Sequence, residues 1–188
     1  MAILKVAHLG NPVLRKIAAK VDPAALAAPD MQRFLDDMVD TMREYDGIGL
    51  AAPQVHVSQQ IAVIEGRLLG DDPKLPDLAR DLLFIVNPVV QVRSERSVAG
   101  DEGCLSVPGL RGKVMRAREV DVEAFDRHGR MQRFTATGWF ARVIQHEVDH
   151  LGGKVYLDRM KDLTTLTYLK EYRHFRDKES DDLDEPMV

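Results

Sequence analysis

Apolar positions recur at helical spacing in two stretches of the chain. Met31, Phe34, Leu35, Met38, Val39, Met42 and Tyr45 follow Pro29-Asp30, which offers an N-terminal cap, and stop before Gly47. That spacing predicts an amphipathic helix with a polar outer face, its methionines filling a core. The second stretch runs from Trp139 to Leu151. At about 100° per residue, Trp139, Val143, His146 and His150 share one side, and Phe140, Ile144, Val148 and Leu151 form a second apolar stripe. Arg142, Gln145 and Asp149 gather on the remaining, polar side, while Glu147 falls between the two apolar sectors and is expected to face the interior. Gly138 and Gly152-Gly153 punctuate the ends. A third helix is expected over 161–177, with Leu163, Leu166, Leu169 and Tyr172 inward.

Elsewhere the pattern is that of strands. Ile61-Ala62-Val63-Ile64 reads as a short buried strand, and Phe84-Ile85-Val86 and Val89–Val92 as two strands broken at Asn87-Pro88. Val114 to Ala124 carries Val120, Val122 and Ala124 inward against Asp121 and Glu123 outward; Arg127-His128-Gly129 then turns the chain into Met131–Phe134, an antiparallel hairpin. His8–Pro12 reads as a strand end entering a turn, and residues 65–82, with Gly66, Gly70, Pro73 and Pro76, as a surface excursion. His8, His56, His128 and His174 have no partner pattern and are expected to be structural or solvated.

Composition narrows the class without choosing a function. A chain of 188 residues with 45% hydrophobic and 30% charged residues suits one globular domain with a full core. A net charge of −4 gives no reason to expect a nucleic-acid substrate. No apolar run approaches the ~20 residues of a membrane span, and the N-terminus lacks a signal-peptide core. The single cysteine, Cys104, cannot form an internal disulfide, so a cytoplasmic location is expected. Residues 178–188 form an acidic tail expected to be disordered.

The candidate chemistry lies in the second helix. His146-Glu147-Val148-Asp149-His150 is H-E-x-x-H, which on a helix sets two imidazoles on one face, able to share a metal, with a glutamate beside any metal-bound water. A catalytic site of this kind needs a third protein ligand and one open position. A metzincin pattern fails, because Tyr156 stands where the third histidine belongs. Glu171 lies at about the right distance for a thermolysin-like site, although Lys170 and Arg173 give it the look of a solvated charge. Cys104, in the glycine-bounded turn Gly100–Gly109, is a soft thiolate able to offset a dication. Gly47-Ile48-Gly49-Leu50-Ala51-Ala52-Pro53-Gln54 lacks the residues of a nucleotide loop; its glycines permit close approach by another chain, and Gln54 is suited to donate to an oxyanion. Three readings follow: a hydrolase with Cys104 as ligand, an endopeptidase with Glu171, or a binding module whose metal is closed off by a fourth ligand.

Together G-I-G-L-A-A-P-Q at 47–54, E-G-C-L-S at 102–106 and Q-H-E-V-D-H-L at 145–151 resemble the three signature motifs of the peptide deformylase family, in its order and spacing. The flanking H-L-G-N-P-V-L-R and L-D-R-M extend the resemblance over about residues 5–160. Gly138-Trp139-Phe140-Ala141-Arg142 is closer to the family's organellar-like branch than to the common bacterial form. The resemblance implies an α+β fold: antiparallel sheets around a central metal-binding H-E-x-x-H helix, with an N-terminal and a C-terminal helix, in one catalytic domain over 1–177.

It further implies removal of the formyl group from the N-terminal formylmethionine of nascent polypeptides, with release of formate. Cys104, His146 and His150 would hold one divalent ion, ferrous iron by family habit, with zinc, nickel or cobalt as substitutes. Glu147 would move the proton, and Gln54 and the Leu105 N–H would hold the oxyanion. Gly49 and Gly103 would bond the extended substrate through their backbone, and Ile48, Trp139, Arg142 and Val143 would wall the methionine pocket. Glu102 is expected to pair with Arg116 and brace the cysteine loop. Contact with the ribosome through the last helix is a further implication of the family.

Overall fold

The computed structural model describes residues 2–69, 76–93 and 95–175. The first long apolar period forms α1, Pro29–Glu44, and the second forms α2, Gly138–Leu151. Pro29 is the first helical residue of α1, where its missing N–H costs nothing; the capping position is Ala28, which supplies no side-chain bond. Strands β1 (Gly49–Ala51), β2 (Ile61–Glu65), β3 (Leu82–Val92), β6 (Glu119–Phe125) and β7 (Met131–Thr137) make an antiparallel sheet in the order β1-β2-β3-β6-β7. A second antiparallel sheet has the order β4-β5-β8, from Ser97–Cys104, Val107–Ala117 and Thr167–Tyr168.

The five-stranded sheet lies between the two long helices. Alternate residues point to opposite faces of a strand, so Ile61 and Val63 join Leu35, Met38 and Met42 of α1 in one apolar cluster. Ala62 and Ile64 join Phe140, Val143 and Ile144 of α2 in the other. Both faces of β2 are covered, which is why its sequence is apolar without alternation. α2 also packs against β5 of the second sheet, so it runs through the interior with sheet on two sides.

Several elements depart from the sequence reading. The segment around Asn87-Pro88 does not break the chain into two strands: β3 continues through it with a register shift between Val86 and Val89. Asn87 takes the left-handed conformation, φ 50°, and its side-chain amide both accepts from and donates to the Val21 backbone at 2.9 and 2.7 Å. A bulge therefore absorbs the proline that the ladder cannot use. Val114–Ala124 is not one strand either. β5 ends at Ala117 and β6 begins at Glu119 in the other sheet, and the alternation breaks at the crossing, where Arg116 and Ala117 are both buried and Arg118 is exposed.

At the N-terminus, His8 does not end a strand. Ala7 N–H donates to the Gln54 carbonyl and Leu9 N–H to the Ser106 carbonyl, both at 2.7 Å, and Asn11 caps a 3-10 turn at Pro12–Arg15. The excursion expected at 65–82 includes 3-10 turns at Gly66–Leu69 and Asp77–Ala79, its centre lying outside the described residues. The helix expected over 161–177 is three pieces: a 3-10 turn at Leu163–Thr165, β8, and α3 at Leu169–Phe175. Asp162 caps that turn by accepting from Thr164 N–H at 2.9 Å, and Thr167-Tyr168 then pairs with Leu110-Arg111 of β5. The threonines favour these local bonds and extended backbone over a helix interior, and Leu163 stays 68% exposed. Residues 176 and 177 and the acidic tail lie outside the described residues.

Candidate metal centre

His146 and His150 lie one turn apart on α2, ring centroids 5.1 Å from each other, and both are buried. Glu147 is buried beside them. It is accommodated by β1: a Cβ on Gly49 would stand 2.3 Å from Glu147 Oε1, so only glycine fits there. The close approach anticipated at the glycine pair is thus made by a side chain of α2. Burial pushes the Glu147 carboxyl up to about 7, the imidazoles opposing, and its Oε2 has no hydrogen-bond partner.

Cys104 is delivered from the other sheet. It ends β4 at a two-residue turn, Leu105-Ser106, and faces Val107 across the hairpin. Its Sγ lies 3.2 Å from His150 Nε2, and one donor atom each from Cys104, His146 and His150 fall within 4.8 Å of one another. Bonds of ~2.3 Å to sulfur and ~2.0–2.1 Å to nitrogen at a tetrahedral angle separate the donors by roughly 3.5 Å, so the trio fits a single dication. Burial opposes ionisation of the thiol, but the charges and hydrogen bonds of His150 and His146 hold it well below its ordinary value, as the thiolate a metal requires. Glu171, the competing ligand, is exposed on α3 and belongs to no such group among the described residues.

Gln54 approaches from a 3-10 turn at Ala52–Val55. Its Oε1 accepts from Ala51 N–H at 2.8 Å, which aims Nε2 at Ser106 Oγ, 3.2 Å away, and at Cys104 Sγ, 3.5 Å away. A cavity of about 520 Å³ opens here, lined by Ile48, Gly49, Gly103, Leu105, Val143 and Glu147 among others.

Behind the histidines is a buried ionic network. Glu102 accepts from Arg116 Nε and Nη2, both at 2.9 Å, from Arg142 Nη1 at 2.9 Å, and lies 2.9 Å from His146 Nδ1. Burial alone would raise its carboxyl; Arg116 and His146 more than reverse that, so Glu102 stays ionised. It therefore accepts a hydrogen bond from His146 Nδ1–H, which leaves the Nε2 lone pair free to face a metal. Arg116 Nη1 also donates to Asp149 Oδ2 at 2.6 Å, and Asp149 accepts two further bonds from Arg159.

A family model described as polypeptide deformylase matches residues 3–165. The chain belongs to the peptide deformylase family. It is 40% identical to a peptide deformylase of Desulfitobacterium hafniense over 161 residues, 86% of this chain and 97% of that one. It is 43% identical to the chloroplastic/mitochondrial peptide deformylase 1A of Arabidopsis thaliana over 158 residues, 80% of this chain and 59% of that longer relative. Among solved structures, the class I type b peptide deformylase of Acinetobacter baumannii bound to Met-Ala-Ser superposes with a TM-score of 0.75 at 37% identity, covering 85% of this chain and 99% of that one. The Thermotoga maritima peptide deformylase gives 0.75 at 30%, covering 86% and 100%. Members of the family are metal-dependent hydrolases that remove the formyl group.

The deformylase motifs converge in three dimensions. Glu102 and Cys104, Gln54 and Gly49, and His146, Glu147 and His150 all border the one cavity or its donor cluster. Trp139 does not. It packs in the apolar cluster under the five-stranded sheet and is absent from the cavity wall. A helical wheel gave it the angle of His146, but seven residues are about 10 Å along the axis, and a wheel ignores axial distance. Arg142 reaches the cavity wall, but its guanidinium is turned into the Glu102 network. Its polar side of α2, with Asp149, is buried and not solvated.

Three residues escaped the sequence reading. Ser106 is fully buried against Gln54. Asp149, on the polar side of α2, is buried and bonded by Arg116 and Arg159. His8 is exposed as expected but borders the cavity. Of these only Asp149, set between His146 and His150 in the sequence, carried a signal, and it is a weak one.

Proposed function

We propose that the chain acts, as one catalytic unit over residues 1–177, on the N-terminal formylmethionine of nascent polypeptides, with Cys104, His146 and His150 holding one ferrous ion. The supporting observation is the meeting of a thiolate from one sheet with two imidazoles of α2 beside a buried, unpartnered carboxylate oxygen of Glu147. When bound, the ion supplies Lewis acidity, which lowers the pKa of coordinated water from ~15.7 toward ~7.

The remaining work falls to the chain. Glu147 accepts a proton from the attacking water and returns it to the departing amine as the C–N bond breaks, giving formate and a free amino terminus. Gln54 Nε2, already oriented by Ala51, and the Leu105 N–H hold the oxygen of the tetrahedral intermediate; removing such a donor typically costs ~10²–10³ in rate. The peptide lies extended along the backbones of Gly49 and Gly103, both of which line the cavity. Ile48 and Val143 border the space for the methionine side chain. The Met-Ala-Ser peptide carried by the Acinetobacter relative has the chemistry of a deformylated product and fits this reading. Zinc, nickel and cobalt are substitutes for iron, and a ferrous thiolate would be oxygen-sensitive. A cytoplasmic setting, with ribosome contact through the C-terminal segment, matches a nascent-chain substrate; no described helix is long and apolar enough to cross a membrane.

The test is formate release from formyl-Met-Ala by anaerobic, iron-loaded protein, beside acetyl-Met-Ala and an unblocked peptide. Turnover of the formyl compound alone is expected. Internal peptide cleavage that survives Cys104→Ala and is lost in Glu171→Ala would sink the reading in favour of an endopeptidase.

A further inference from the structure

Arg142 is a costly residue to bury, and nothing in the reaction uses its charge directly. It is 3% exposed and lies one turn before His146 on α2. Its Nη1 donates to Glu102 Oε1 and to the Val114 carbonyl, each at 2.9 Å, and Nη2 donates to the Val98 carbonyl at 2.9 Å. The guanidinium lies flat on Gly100: a Cβ at that position would stand 2.5 Å from Nη2 and 2.6 Å from Cζ. So β4 has a glycine where Arg142 needs a bare backbone, β4 and β5 both present carbonyls to it, and one donor is left for the carboxylate. Arg116 already grips Glu102 through two bonds. A second guanidinium, coming from α2 itself, ties the carboxylate to the same helix that carries the histidine it orients.

The geometry points to Arg142 as a positioning residue for the metal centre: seated on Gly100 and held by carbonyls of β4 and β5, it fixes Glu102, and through Glu102 the ring of His146. The inference rests on the metal-site reading above and deepens it. Arg142 touches no reacting atom. Its planar fork spans carbonyls of two strands and a carboxylate at once, which the single ammonium of a lysine cannot do. Partners that orient a ligating histidine typically contribute 10–100-fold to metal affinity.

The test uses cobalt(II) as probe, with affinity measured by competition against a chelator and the thiolate-to-cobalt absorption bands recorded on the full chain. Arg142→Met is expected to weaken cobalt binding about 10-fold and to shift the bands, and Arg142→Lys to recover part of the loss. Gly100→Ala, which removes no side chain of the network but displaces the guanidinium, is expected to weaken binding several-fold and carries the test if Arg142→Met does not fold. In a Glu102→Gln background, Arg142→Met should cost little more, because the link it acts through is already gone. Wild-type affinity in both Arg142→Met and Gly100→Ala, or an equal loss with and without Glu102, would overturn the inference while leaving the metal site standing. A wild-type protein that shows no sulfur-to-cobalt bands would overturn the metal reading and this inference with it.

Discussion

The two long helices of this protein have the same kind of sequence and opposite fates. α1 and α2 each show an apolar face and a charged one. On α1 the charged face, with Arg33, Asp36, Arg43 and Glu44, is exposed, and only the apolar side meets the sheet. On α2 no residue is exposed. Its charged side is covered by β4 and β5, whose Glu102 and Arg116 answer Arg142 and Asp149. Periodicity reports that a helix has a polar face, not what that face meets. A buried charge needs a partner, and a partner from a distant strand is invisible at the position itself.

The largest test of that contrast is Glu147→Gln. Deformylation should fall by ~10²–10⁴, the usual weight of a positioned acid–base group. Stability should move the other way. The folded carboxyl sits at about 7, above its ordinary 4.5, so the fold disfavours the charged form. The resulting destabilisation is absent below the unfolded value, grows as pH rises from 4.5 and is complete above about 7. Chelated, metal-free Glu147→Gln should therefore outlast the wild type in urea at pH 8 by up to roughly 3 kcal/mol, and match it near pH 4. Equal urea midpoints at pH 8 would count against a buried, strained Glu147. Glu44→Gln on the exposed side of α1 should change neither rate nor stability by more than about 0.5 kcal/mol.

Next comes Arg116→Met, which leaves Glu102 and Asp149 short of a counter-charge in the interior. A loss of ~3–5 kcal/mol in chemical denaturation is expected, against ~0–1 for Arg33→Met on α1, where Asp30 remains solvated. Similar losses at both sites would mean that the α2 network is screened as a surface pair is. Met38→Ala on α1 should cost ~2–5 kcal/mol through the cavity it opens, with cobalt affinity unchanged. That separates α1, which holds the sheet, from α2, which holds the sheet and the centre. The smallest effect belongs to the exposed Asp30–Arg33 pair: Asp30→Asn should shift the melting midpoint by no more than the ~0.5 kcal/mol of an i,i+3 pair, and less in high salt.

Much of the site could be read in advance because its residues are local to their motifs. Two histidines at i and i+4 share a helix face whatever surrounds them, and Glu147 between two apolar stripes has nowhere to point but inward. The Glu102–Arg116 pair is also expected from the sequence, but as one contact and not as the hub of a network of six side chains that includes Arg142, His146, Asp149 and Arg159. The pocket wall was harder. Trp139 shares an angle with His146 and not a depth, so only the packed helix excludes it from the cavity. In the C-terminal stretch, leucines three apart suit a helix, yet a capped turn and a free edge on β5 drew Thr167-Tyr168 into a sheet.

By itself the sequence determined the two amphipathic helices, the strands whose alternation has one period, and the donor types on α2, since each follows from bonds and contacts within a few residues of chain. Tertiary structure alone decided that Cys104, some forty residues before the histidines, lands against them, that Gly49 makes room for Glu147, and that Arg142 turns from the pocket into Glu102. These depend on the path by which one sheet returns over a helix packed on the other, and a path through space leaves no period in the chain.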